Sequence, residues 1–312
     1  MGVSKSVFAS GSEKANYYKL MREWGNKYRI YHNLPFLNVL NPKNQRDISD
    51  GAFENQKFFT NDQFNMLKKT SIDYTICNLQ DQPLFCIEFD GMQQGFNLGT
   101  SYVPGDRIKH PNAWRKQITE LKLRVAISNA FPLIVVGTTY FKDISNSTKL
   151  TIVDAIIGEM LTIADTQGKI RNFRVQQLGL TEEEFQSLSD EEQQNIIQDW
   201  VFYIEIESQF KNNPITVRRA ELENVCEGSW SSFSTFLLSY PPFEPGDIKG
   251  FQSATMHGHR IVYETDDLGP ISGDAWIPNF SMPFVSGYTV TEDIAAICAL
   301  EKMIELRTLK NV

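Results

Sequence analysis

The stretch PLIVVGTTYF, Pro132 to Phe141, is an almost unbroken apolar run. A strand can be apolar on both sides only when both of its faces are covered, which happens inside α/β layers. The segment before it, Asn112–Ala130, places Trp114, Ile118, Leu121 and Val125 along one stripe at helical spacing, so helix leads directly into buried strand. Further upstream, Tyr17, Leu20, Met21 and Trp24 predict a helix over Ser12–Lys27. Extended segments follow at Arg29–Leu40, Ser71–Leu79 and Leu84–Asp90, with the turn-rich string NLQDQP marking a hairpin between the last two. Helix, strands, helix, strand in this order predicts an α/β core, a mixed sheet flanked by helices, complete by about Phe141.

The chain beyond that core is organised differently. Thr151–Ala164 reads as a helix, and the capping boxes Thr181/Glu184 and Ser189/Glu192 announce two more helix starts. Trp200–Glu207 alternates like a strand, Ser239–Gly250 is rich in Pro and Gly and reads as a loop, and Thr291–Leu309 reads as a closing helix capped by Thr291. The expected division is a core over 1–145 and an α+β region over 146–312 serving recognition, dimerisation or partner docking.

Composition narrows the function classes. With 312 residues, 41% of them hydrophobic and 22% charged, there is ample chain for one large or two ordinary domains. The formal charge of −8 argues against coating a polyanion by bulk electrostatics, so any nucleic acid must be gripped locally. Positive charge is concentrated from Gly105 to Arg124, in Arg107, Lys109, Arg115, Lys116, Lys122 and Arg124, whereas Thr181–Glu192 carries six acids and reads as a solvated face. Cys77, Cys86, Cys226 and Cys298 show no CxxC spacing, so a reducing, cytoplasmic setting is expected. No signal-peptide core and no apolar span of membrane length is seen, hence no membrane partner is expected. There is no GxxxxGK[ST] phosphate loop and no GxSxG elbow.

The chemistry centres on Leu84-Phe85-Cys86-Ile87-Glu88-Phe89-Asp90, where alternation puts Cys86, Glu88 and Asp90 on one face. A hairpin turn centred on Gln80-Asp81 pairs position 73 with position 88, bringing Asp73 and Glu88 to about 5 Å between Cβ atoms. Like charges so placed need a cation or a proton between them; a one-residue slip would separate them. A hard divalent ion such as Mg²⁺ takes carboxylate oxygens of this kind and leaves room for a phosphate. The plainer alternative is an exposed edge acid beside a strand-end acid.

The string SIDYTICNLQDQPLFCIEFDG, followed by ELKLRVAISNAFPLIVV, resembles the restriction-endonuclease-like PD-(D/E)XK phosphodiesterase superfamily, and within it the subgroup with an E-x-D-G strand end. The resemblance spans about residues 8 to 141. It implies a metal-dependent endonuclease hydrolysing DNA, or RNA, with Mg²⁺ or Mn²⁺ held by Asp73, Glu88 and a Glu of the first helix, Glu13. It further implies Asp90, Gln94 and Lys122 around the scissile phosphate, an activated water attacking phosphorus in line, and Lys122 offsetting developing charge. Arg107, Lys109, Arg115 and Lys116 would contact the nucleic-acid backbone. Two departures stand out: the usual Lys of the signature is Asp90, and the His of D-G-x-x-H is Gln94, which cannot titrate near neutral pH. Glu13 also fits a Ser10-x-x-Glu13 capping box, and Lys122 also fits a solvated helix face. The resemblance extends to defence, restriction or mobile-element biology, and the acidic balance, with its sparse positive charge, predicts a homo-oligomer or a partner protein. Two rivals remain: a nuclease-shaped scaffold subunit without catalysis, and chemistry in the C-terminal half around His257, His259, Asp266 and Asp267.

Overall fold

In the computed structural model the described residues are 8, 10–40, 60–90, 95–97, 101–103, 113–240, 256–278, 281–282 and 285–310. The chain forms two compact units, one of residues 1–142 with 280–283 and one of residues 143–279 with 284–312.

The first unit is built on the predicted helix–strand order. Helix α1, Gly11–Trp24, starts where the Ser10 hydroxyl accepts the Glu13 N–H, and buries Glu13, Asn16, Leu20 and Trp24 on one side. Strand β1, Arg29–Pro35, runs antiparallel to β2, Ser71–Cys77, which runs antiparallel to β3, Pro83–Asp90. The hairpin pairs Tyr74 with Ile87 and Thr75 with Cys86, and continuing that register sets Asp73 against Glu88, as the turn arithmetic expects. The turn closes on the Asn78 side chain, which accepts the N–H groups of Gln80 and Gln82, with Asp81 at φ +63°. Strand β6, Leu133–Gly137, lies parallel to β3 with Glu88 opposite Val135. The short strands β4, Gly95–Asn97, and β5, Ser101–Val103, complete a mixed sheet of order β1-β2-β3-β6-β4-β5.

Helix α4, Ala113–Ser128, makes the crossover from β3 to β6 and seals one sheet face. Leu121, Leu123, Val125 and Ala126 of α4 pack with Cys86, Leu133, Ile72 and the small helices α2, Phe36–Val39, and α3, Asn61–Leu67. The opposite face carries α1, tied down by the Tyr74 hydroxyl donating to the Glu13 carbonyl at 2.8 Å. Helices therefore cover both faces, which explains why β6 is apolar throughout.

Several local expectations needed correction in this unit. The extended segment expected to reach Leu40 stops at Pro35, and Phe36–Val39 is one helical turn that plugs Phe36 into the core. The run after Pro132 leaves the sheet at Gly137, and Thr138–Phe141 is a 3₁₀ turn. Trp114 is not part of the apolar stripe: it is 57% exposed, while Ile118, Leu121 and Val125 are buried.

The second unit is α+β. Helix α5, Ile152–Arg171, opens with a Thr151/Asp154 capping box; α6, Glu182–Gln186, and α7, Asp190–Asn212, open with the two boxes read from sequence. Helix α8, Pro214–Val225, has Pro in its first turn. The strand expected over Trp200–Glu207 is helix instead. The Ser189 capping box starts α7, and the helix continues unbroken through this window to Asn212. Strands β7, Ser232–Tyr240, β8, Met256–Glu264, and β9, Ile271–Pro278, form an antiparallel meander; Ser239 and Tyr240, expected in a loop, end β7, and 241–250 lies outside the described residues. Helix α9, Gly287–Lys310, begins before Thr291, which is buried inside it rather than capping it. At Gly273 any Cβ would lie 2.3 Å from the Ala295 carbonyl, so glycine is what lets α9 lie against β9.

Candidate active site

The strand pairing that builds the sheet also builds a cavity of about 320 Å³ in the first unit. Its lining includes Asp73 from β2, Glu88 and Asp90 from the end of β3, and Ile118, Thr119 and Lys122 from α4. Asp73 and Glu88 face the same side because they are antiparallel neighbours; Asp90 joins them two residues on. Lys122 reaches the acids because it follows Leu121 on the buried side of α4.

Lys122, expected at the edge of the apolar stripe, is 5% exposed. Its ammonium donates to Glu88 Oε1 at 2.8 Å and to the Ser71 carbonyl at 2.6 Å. Asp73 has a different environment: its Oδ2 accepts the Phe89 N–H at 2.7 Å. Burial and the Glu88 carboxylate push its carboxyl up to about 8, against the smaller opposing effects of the Phe89 N–H and Lys122, with Glu13 adding slightly to the rise. Asp73 is thus a carboxyl whose anionic form lacks a cation of its own.

Glu13 takes another position. It is buried, but its carboxylate lies 2.5 Å from the His32 Nε2 and does not line the cavity. The cap at Ser10 is also only half of the expected box, since the Glu13 side chain turns inward to His32. Among the described residues no three His, Cys, Asp or Glu side chains converge closely enough to hold a metal ion, so the proposed set Glu13, Asp73 and Glu88 is not gathered on one point. The donor chemistry at Asp73 and Glu88 nevertheless suits a hard cation, since both carboxylates line one cavity and, of the two, Glu88 is the one paired with an ammonium, that of Lys122.

The remaining expectations fall as follows. Gln94, Arg107 and Lys109 lie outside the described residues; Arg115 and Lys116 lie on the first turns of α4, with side chains outside the description. Cys86 is a core residue beside Thr75, its thiol pushed up to about 12 by burial, and Cys77 is buried as well. His257 and His259 are buried in β8, where the His259 Nδ1 pairs with the Thr291 hydroxyl at 2.8 Å; Asp267 is engaged by Arg307.

His32 was missed by sequence reasoning, as were Trp114 and Lys69 as lining residues. His32 stands opposite Tyr74 in the sheet, its ring against Phe8, Tyr17 and Tyr74. Nothing within a few residues of it marks it out; its pairing with Glu13 exists only once α1 is packed on the sheet.

No protein-family model matches the chain, and no curated protein or solved structure matches it either. Among the described residues no helix is long and apolar enough to cross a membrane.

Proposed function

We propose that the protein is a metal-dependent phosphodiesterase, an endonuclease acting on DNA or RNA from a restriction-endonuclease-like core. The observation that carries this reading is the meeting of Asp73, Glu88, Asp90 and Lys122 on one cavity at the end of β3. Sequence proximity does not explain that meeting, because Lys122 arrives from a separate helix. Asp73 and Glu88 would hold Mg²⁺ or Mn²⁺, which supplies Lewis-acid polarisation of a phosphoryl oxygen and a lowered pKa for water. Lys122, held by the Ser71 carbonyl and Glu88, would offset negative charge growing on the phosphoryl oxygens. Asp90 lines the cavity beside them.

The test is cleavage of supercoiled plasmid and of single-stranded DNA and RNA in Mg²⁺ and in Mn²⁺. Wild type cuts, and Asp73→Ala and Glu88→Ala each lower the rate by about 10²-fold or more. Wild type that cuts none of these substrates with either metal overturns the reading.

A second reading, a nuclease-shaped scaffold subunit without catalysis, is favoured by one observation. Glu88 is already satisfied by Lys122 at 2.8 Å, so the pair supports itself without any ion. On that reading Lys122→Met destabilises the fold and no variant affects cleavage, there being none to affect.

A further inference from the structure

From Gly228 to Phe243 no residue of the sequence is charged, although 22% of the chain is. Strand β7 lies within this stretch and is an outermost strand of the meander β7-β8-β9, paired with β8 in unbroken register from Ser232 opposite Glu264 to Tyr240 opposite Met256. In an antiparallel pair alternate residues turn their N–H and C=O away from the partner strand. On β7 those outward groups meet no second strand among the described residues. Phe233, Thr235 and Leu237 lie opposite Tyr263, Ile261 and His259, all three buried, on the face where His259 meets the Thr291 hydroxyl of α9 at 2.8 Å. Helix α9 packs on β8 and β9. Beside it, Phe233 rests on Trp230 and Tyr263 yet is 44% exposed, and Leu237 is 50% exposed; Phe236, on the other face, is 50% exposed. Sheets ordinarily guard such an edge with a charge, a proline, a bulge or a short strand, and β7 runs nine residues with none of these.

We propose that β7 is a dimerisation edge: two copies of this chain pair their β7 strands antiparallel about a two-fold axis, joining their meanders into one continuous sheet. Three observations point to a second copy as the occupant. The first is self-complementarity, since an antiparallel strand supplies its own matching donors and acceptors. An axis at Thr235 sets Phe233 of each copy against Leu237 of the other, so the apolar side chains left half exposed beside α9 cover one another. The second is charge. Two chains of net charge −8 repel over most of their surfaces, and β7 is a strand on which they meet without opposing like charges. The third is area. Three side chains of roughly 200 Å² each, about half exposed, leave about 300 Å² of apolar surface per copy. With the exposed Ser232, Ser234 and Thr235 and the strand backbone, both copies together bury about 1,000 Å², the lower bound of a specific interface. The dimer is therefore a reversible one.

The test is sedimentation velocity of the full chain, without metal or nucleic acid, from about 1 to 100 μM. Wild type moves with concentration from the 35.7 kDa monomer to twice that mass. Phe236→Lys and Phe236→Glu each place like charges beside the axis and weaken self-association at least about tenfold. Mixing the two variants restores the dimer, because unlike charges then face each other; a change confined to one copy's own packing gives no such rescue. Phe236 is half exposed, so both variants keep the wild-type circular dichroism spectrum. As a second reading that adds no charge, Thr235→Cys under mild oxidation gives a disulfide-linked dimer in yield well above wild type. The inference is overturned if wild type stays monomeric at about 100 μM. It is overturned equally if Phe236→Lys self-associates like wild type, which places the contact elsewhere, such as the exposed Phe202 and Phe210 of α7. A mixture of the Lys and Glu variants that stays monomeric, or Thr235→Cys that links no better than wild type, also overturns it.

Discussion

Each of the two units holds a charge cluster, buried in the first and partly buried in the second, and the clusters are resolved in opposite ways. In the second unit Arg219 donates to Glu223 at 2.9 Å and to Asp293 at 2.7 Å, while Thr216 supplies a further hydrogen bond to Asp293 and the Tyr263 hydroxyl one to Glu223. Each of those carboxylates has a guanidinium or hydroxyl donor, and the cluster ties α8 to α9 and β8. In the first unit Lys122 is committed to Glu88 and to a backbone carbonyl, and Asp73 is left with one N–H and a carboxyl pushed up to about 8. A charge cluster in which every carboxylate has a side-chain donor is framework; one that leaves a carboxyl without a side-chain donor has capacity for a cation from outside.

The contrast can be broken most directly at Arg219. Removing it strands two carboxylates in a partly buried position, so Arg219→Ala should cost about 3–5 kcal/mol in urea unfolding and leave nucleic-acid binding by the folded protein unchanged. A loss near zero would show that the second cluster is no more framework than the first. Next in size is the response to Mg²⁺. If the first cluster accepts a cation, millimolar Mg²⁺ stabilises wild type by about 1–3 kcal/mol in thermal melts, and Asp73→Asn with Glu88→Gln abolishes the shift. An equal shift in that double variant places the ion elsewhere.

The pH dependence sharpens the same point on metal-free protein. The Asp73 carboxyl ordinarily ionises near 3.8 and in the fold near 8, so between those values the folded state holds a proton that the unfolded state has released. Stability therefore falls as pH rises through that window, by up to about 1.4 kcal/mol per pH unit, and is level with respect to this group below it. In urea titrations in EDTA, Asp73→Asn should remove that part of the slope; an unchanged slope would assign it to other groups. The smallest effect concerns the framework of the second unit, where Ser189→Ala deletes the cap of α7 and costs about 1 kcal/mol by the same measurement.

What could be read in advance was local or depended on a short closure. The Thr181 and Ser189 capping boxes form as written, because a hydroxyl and a carboxylate three residues apart need only one turn of helix. The hairpin register was legible because a connection of five residues, 78–82, sets it, and with it came the Asp73 and Glu88 neighbours. The strand expected at Trp200–Glu207 failed because the alternation of a short window competed with a helix already nucleated at Ser189. The meander β7–β9 was illegible: β7 keeps Phe233, Phe236, Leu237 and Tyr240 exposed, so it lacks the one-sided pattern that marks a half-buried strand. Within the site, the inward turn of Lys122 and the Glu13–His32 pair gave no signal in sequence, since each joins residues from elements that meet only on packing.

By itself, then, the sequence determined the α/β class of the first unit, its hairpin and the side-by-side acids, all through contacts spanning a few residues, where chain connectivity alone limits the geometry. Tertiary structure decided which cation faces those acids, that Glu13 serves His32 instead of joining them, and that Trp114 lines the cavity instead of the core. These outcomes depend on how α1 and α4 settle on opposite faces of the sheet, and burial on a sheet face is a property of the assembled layers that no segment carries alone.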